Sequence, residues 1–162
     1  MPNKIGTLIP LPNESRIAGF SHIFRLTAAD VAQLTSGVAQ AVIPPNLLGA
    51  ATSVIPAGMV IRRIAPCVVT AFTFSGGDTG TLVYTLGDGG TPTRFVISVT
   101  LKTAGWGTTQ NLGYTYPVAD TIDIIVTAAT QAITLVNAGQ LDLYLELNDA
   151  SRLVNVVVPS PV

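Results

Sequence analysis

The sequence predicts an all-β protein: an antiparallel β-sandwich or jelly roll, with one short helix and extended arms at both ends. Three observations predict it. Several runs alternate apolar and polar residues with a period of two, the mark of half-buried strands. Turns rich in Gly, Asp, Asn and Pro separate those runs, supplying positive φ or local side-chain bonds where the chain reverses. No series of long helices alternates with the strands, which removes doubly wound and α/β-barrel architectures. At 162 residues the chain fits one domain plus arms, since domains run about 100–150 residues. A domain of that size buries a real core without disulfides or metals.

Taken in order, residues 1–26 carry Ile5, Leu8, Ile9, Leu11, Ile17, Phe20, Ile23, Phe24 and Leu26 among Pro and Gly, with no clean period. This reads as an extended N-terminal arm. Disordered segments are typically hydrophilic, so an arm this apolar should lie on something. Residues 27–150 form the sandwich domain. It opens on Thr27-Ala28-Ala29-Asp30, a capping box with Asp in the place of Glu or Gln. Ala28, Val31, Ala32 and Leu34 then predict about two helical turns, stopped by Gly37. Strand candidates follow at Val38–Ile43, Met59–Ile64 and Cys67–Phe74.

The clearest alternation comes next. Leu82, Tyr84 and Leu86 share one face; so do Phe95, Ile97, Val99 and Leu101, then Ile122, Ile124 and Val126. Leu141, Leu143, Leu145 and Leu147 alternate with Asp142, Tyr144 and Glu146. Ile133–Val136 predicts one more short strand. Turns are expected at residues 75–78, 87–90 and 137–139. The tail, residues 151–162, is apolar and aperiodic, with Val154–Val158 able to add an edge strand in this subunit or a neighbour.

Composition narrows function. Charged residues are 10% of the chain, against roughly 25% in ordinary soluble proteins. Net charge is −1, and near-neutral, charge-poor surfaces associate readily. Eight Lys and Arg are scattered, with only Arg62 and Arg63 adjacent. No phosphate-binding face is expected, and that pair should point to opposite faces of a strand. The uncharged stretch from Val31 to Ile61 is broken by Pro44, Pro45 and Pro56, so no spanning helix is expected. Met1–Pro12 has one Lys and three prolines and lacks the apolar core of a secretory signal. Cys67 is a lone cysteine in an apolar context, which predicts a small buried hydrophobe and synthesis in a reducing cytoplasm.

Few residues could carry chemistry. His22 is the only histidine, and it sits in the arm, a poor scaffold for catalytic geometry. One His and one Cys do not make a zinc site. Asp88 in Gly87-Asp88-Gly89-Gly90 lacks the further spaced carboxylates of a calcium loop and reads as a tight hairpin turn. Glu14 and Glu146 are the only glutamates. Glu146 shares a face with Asp142, an interface pattern more than an acid–base dyad. The expectation is no catalytic residues, no cofactor and no metal. Trp106, with Tyr114 and Tyr116 nearby, is the best binding candidate, as a stacking or anchoring group. The alternative is a loop folded over the sandwich end with Trp106 plugging the core.

In order along the chain come Leu26-Thr27-Ala28-Ala29-Asp30, then Leu82–Gly90 with its Gly-Asp-Gly-Gly turn. Thr93-Arg94-Phe95, Gly113-Tyr114-Thr115-Tyr116, Ala119–Asp123 and Leu141–Asp149 follow. This series resembles the capsid decoration, or cement, proteins of tailed bacteriophages, over about residues 26–149. The resemblance implies a homotrimeric knob on the capsid exterior, at threefold and quasi-threefold positions. There it would clamp neighbouring major capsid subunits after the shell expands, following synthesis in the bacterial host cytoplasm. It implies no enzyme activity; the scattered basic residues and the broken apolar stretch argue against nucleic acid and membrane as partners. The candidate interface residues are Ile5, Leu8, Ile9, Leu11, Phe20, Phe24, Trp106, Tyr114, Tyr116, Leu153, Val156 and Val158. Other readings are a head-fibre base, a tail or baseplate component, or a carbohydrate-binding module using Trp106.

Overall fold

The structure, a computed structural model, describes residues 7–11, 19–42 and 55–149. Ten strands occur among them: β1 Thr7–Pro10, β2 His22–Thr27, β3 Ala39–Val42, β4 Met59–Phe74 and β5 Thr81–Asp88 come first. β6 Val96–Thr100, β7 Gly105–Trp106, β8 Gln110–Thr115, β9 Ile122–Ala129 and β10 Val136–Asp149 follow. One helical turn, α1 Ala28–Val31, and a 3-10 turn, Ile133–Leu135, complete the set. One sheet runs β1-β2-β10-β4-β7, with β8 also on β4; the other runs β3-β9-β5-β6. All pairings are antiparallel. The protein is an all-β sandwich, as the alternation predicts.

The core lies between the sheets. Leu141, Leu143, Leu145 and Leu147 face it from β10, and Phe24 and Leu26 from β2. Leu82, Tyr84 and Leu86 face it from β5, with Ile122, Ile124 and Val126 from β9. Each fully buried Leu, Ile or Phe contributes about 1.5–3 kcal/mol.

Where local context overrode periodicity, the structure departs from expectation. The arm expected over residues 1–26 supplies two strands: β2 lies between β1 and the central β10, with Phe24 opposite Leu143. The sheet therefore crosses the boundary expected at residue 26. The two candidates in Met59–Phe74 are one strand, continuous through Pro66. The Pro66 carbonyl accepts the Gly107 N–H at 2.9 Å. The missing Pro66 N–H therefore falls on that same side, at the break between β7 and β8.

In β6, Tyr84 opposes Val99 and Leu86 opposes Val96, leaving Ile97 and Ser98 against Thr85 alone. This bulge, with Ser98 at φ 30°, turns Val96 inward and leaves Ile97 77% exposed. Ile97 therefore does not share the inner face with Phe95 and Leu101. Helix α1 has the full capping box, Thr27 with Asp30, but spans one turn. Gln33 and Leu34 donate to Asp30 and Val31, three residues back, so the helix tightens and stops. Ile133–Leu135 is a 3-10 turn, and Asn137–Gly139 lies within bulged β10, where a strand and a turn respectively were expected.

Candidate functional site

The register of the larger sheet places Arg25, Asp142, Cys67 and Trp106 side by side across β2, β10, β4 and β7. Since Leu141 and Leu143 face the core, this row lies on the outer face. The next row runs Ile9, Ile23, Tyr144 and Ala65. Tyr144 is the hub. Trp106 lies against it at 5.1 Å between ring centroids, and Phe20 meets it edge-on at 6.0 Å. The Arg63 guanidinium sits 4.9 Å above the Phe20 ring. Trp106 is 66% exposed, so it anchors outward and does not plug the core.

Charges on this face are paired. Arg25 donates to both Asp142 carboxylate oxygens, at 2.8 and 2.7 Å. That contact raises the Arg25 pKa against the opposing effect of burial. Glu146 takes Arg63 at 2.5 Å and Arg62 at 3.9 Å. A bulge at Arg62, between the Ile61–Leu147 and Arg63–Glu146 pairs, brings both guanidiniums to one carboxylate. The arginine pair thus does not split between opposite faces. Asp142 and Glu146 share a face as expected; Asp142 is paired with Arg25, and Glu146 with Arg63 and Arg62. Cys67 is half-buried on this outer face and not in the core; burial, then the nearby Asp142 charge, pushes its thiol up.

Tyr114 and Tyr116 belong to a separate cluster. Tyr114 packs tilted against Phe95 at 5.5 Å and edge-on against Tyr116 at 5.2 Å between ring centroids, with Arg94 4.7 Å above its ring. Tyr116 is fully buried and donates its hydroxyl to the Thr121 carbonyl at 3.4 Å; burial pushes its phenol up strongly. Asp88 ends β5 beside this cluster, with 1% exposure. It accepts from the Gly90 N–H at 3.1 Å, the Thr91 N–H at 2.6 Å and Arg94 at 2.5 Å. Burial opposes its ionisation, but those donors and the Tyr114 hydroxyl outweigh it and hold Asp88 below its ordinary value. The Gly-Asp-Gly-Gly turn is thus a carboxylate-capped loop of residues 89–95, longer than a tight hairpin.

Of the other expected interface residues, Leu8 lies in β1 opposite Phe24, and Ile9 and Leu11 are half-buried. Phe20 is mostly buried, and Phe24 is core. Ile5, Leu153, Val156 and Val158 lie outside the described residues, as does the Val154–Val158 edge strand. His22 opens β2 opposite Leu145, with its Nδ1 2.8 Å from the Ser21 hydroxyl; the strand is a firmer support than an arm. Among the described residues no group of three or more His, Cys, Asp or Glu could hold a metal ion, and no helix is long and apolar enough to cross a membrane. Sequence reasoning missed Tyr144 and Ile97. The outward position of Tyr144 was legible in the β10 alternation, but its partners come from β7 and from Phe20, remote in sequence.

No protein-family model matches this chain, and no significant match is found among curated proteins or solved structures.

Proposed function

We propose that this protein is a structural component of a virion, a decoration or cement protein of the tailed-phage head. In this reading it trimerises and binds the exterior of the expanded shell between capsomers. The observation that carries the reading is the outer face around Tyr144. It presents an exposed Trp106 and half-buried apolar neighbours, while its carboxylates Asp142 and Glu146 are held in ion pairs. Such a surface suits a protein covered by partners, since interface cores are aromatic and poor in free charge.

Strand order adds support. Taking β2, β3, β4, β5, β6, β8, β9 and β10 as eight strands, one sheet reads first-eighth-third-sixth and the other second-seventh-fourth-fifth. We read this order as a jelly roll, a fold that viral capsid and lectin domains use. Fold alone does not assign function; the outer face and the charge-poor composition are what favour this reading. A protein that binds only the assembled lattice stabilises it by mass action, and several weak contacts per trimer add through avidity.

Electron microscopy of expanded heads, with and without the purified protein, tests the reading. Extra density at threefold and quasi-threefold positions is expected. Heads indistinguishable after incubation would refute it. The exposed Trp106 also favours a second reading, a carbohydrate-binding module. A glycan array on which the protein binds and Trp106→Ala does not would decide for that one.

A further inference from the structure

The two sheets leave a trough along one side of the sandwich, between β6 and the β7–β8 edge. Two cavities form it, of about 170 Å3 and 410 Å3, sharing Pro66, Val99 and Gly107 as walls. Trp106 lines the smaller and Ile97 the larger; both are exposed. No described strand pairs with the free edge of β6. The smaller cavity is mainly apolar, and Tyr84 lines it. Tyr84 is fully buried, and its hydroxyl has no hydrogen-bond partner among the described residues. A free strand edge beside open cavities is the setting of β-strand addition: the edge supplies backbone hydrogen bonds and the cavities take side chains.

We propose that this trough receives the segment Leu153–Val158 of a second copy of the chain, as a strand added to β6. Leu153, Val154, Val156, Val157 and Val158 are five apolar residues in six, four of them β-branched, the composition strands favour. Pro159 then closes the run. The segment's own trough is out of convenient reach. The last described pair of β10 is Asp149 with Met59, so only residues 150–152 precede Leu153. From there the chain must pass β4 and β8, at about 4.8 Å each, and then the gap of about 10 Å between sheets, around their ends. Four Cα steps span at most about 14 Å. A donor from a neighbouring copy has no such limit. Tail-into-trough contacts are heterologous, and such contacts make a ring where the rotation from copy to copy closes; this rests on the proposed self-association and gives it a mechanism.

The test uses the full chain and its single tryptophan, Trp106. Solution mass and Trp106 emission are measured for wild type, Val156→Pro, which spoils the strand, and Ile97→Asp, which charges the trough rim. Wild type should be a ring with a blue-shifted, covered indole. Both variants should keep the wild-type circular dichroism, lose about threefold in mass if the ring is a trimer, and emit as an exposed indole. A synthetic peptide of residues 152–160 should restore the blue shift to Val156→Pro and leave Ile97→Asp unchanged. Wild-type mass in Val156→Pro would overturn the inference, as would a peptide without effect on that variant. A monomeric wild type whose indole is uncovered by Val156→Pro would place the segment in its own chain and also overturn it. Failure here is separable from failure of the proposed function, because binding of wild type to expanded heads is read independently.

Discussion

Asp88 ties together one end of the sandwich. Its carboxylate joins the 89–95 loop, Arg94 and the Tyr114–Tyr116 cluster while nearly fully buried. Asp88→Ala removes the carboxylate that accepts from the Gly90 and Thr91 N–H groups and the Arg94 guanidinium and should cost about 1–3 kcal/mol in urea unfolding. Its pKa is depressed on folding, so the stabilisation is present above the unfolded value of about 3.9 and is lost as pH falls through the lower folded value. Unfolding midpoints should therefore drop as pH falls below about 3.9, and more steeply in wild type than in Asp88→Asn. Equal pH dependence in the two would contradict the assignment. Gly139 is the matching backbone case. It sits at φ 132°, and a Cβ there would lie 2.3 Å from Cγ of Phe72, a core residue. Gly139→Ala should destabilise by about 1–3 kcal/mol through overpacking, more than an alanine at the exposed Gly76.

At the scale of elements, strands whose alternation serves one local sheet environment were legible. β5, β9 and the Leu141–Leu147 part of β10 match their periodic signal because both the core face and the opposite face are uniform along them. Elements shaped by remote partners were not. β1 and β2 carry no clean period; β2 is a strand because β10 offers it a paired edge, and β1 because β2 does. β7 and β8 are short and Gly-rich, and exist as two pieces because Pro66 withholds an N–H between them. The β6 bulge inverted one face of a strand whose alternation looked regular. The same holds for the site: Trp106 was legible as an aromatic on a Gly-rich stretch, but its pairing with Tyr144 depends on β4–β7 register. Helix α1 was legible at its start because the capping box is local. Thr27→Ala removes the side chain that accepts from the Asp30 N–H and should cost about 1 kcal/mol by thermal or urea unfolding. An unchanged midpoint would mean that α1 is held by Ala28 and Val31 packing alone.

For the whole molecule, low charge and an aromatic outer face have a common consequence. A chain with 10% charged residues keeps little repulsion between copies, while Trp106, Ile97, Val69 and Val118 remain exposed on the isolated sandwich. Covering them is favourable by about 25 cal/mol per Å2 of apolar area, and a repeating shell offers that cover many times over. The proposed clamp would act on the lattice without changing its subunits, so its effect would be read on the particle. The most direct measurement is calorimetric melting of expanded phage heads titrated with the purified protein. A cement protein should give a melting temperature that rises with added protein and levels off at full occupancy, with no such effect on free major capsid subunits. Heads that melt at the same temperature at every protein concentration would contradict it.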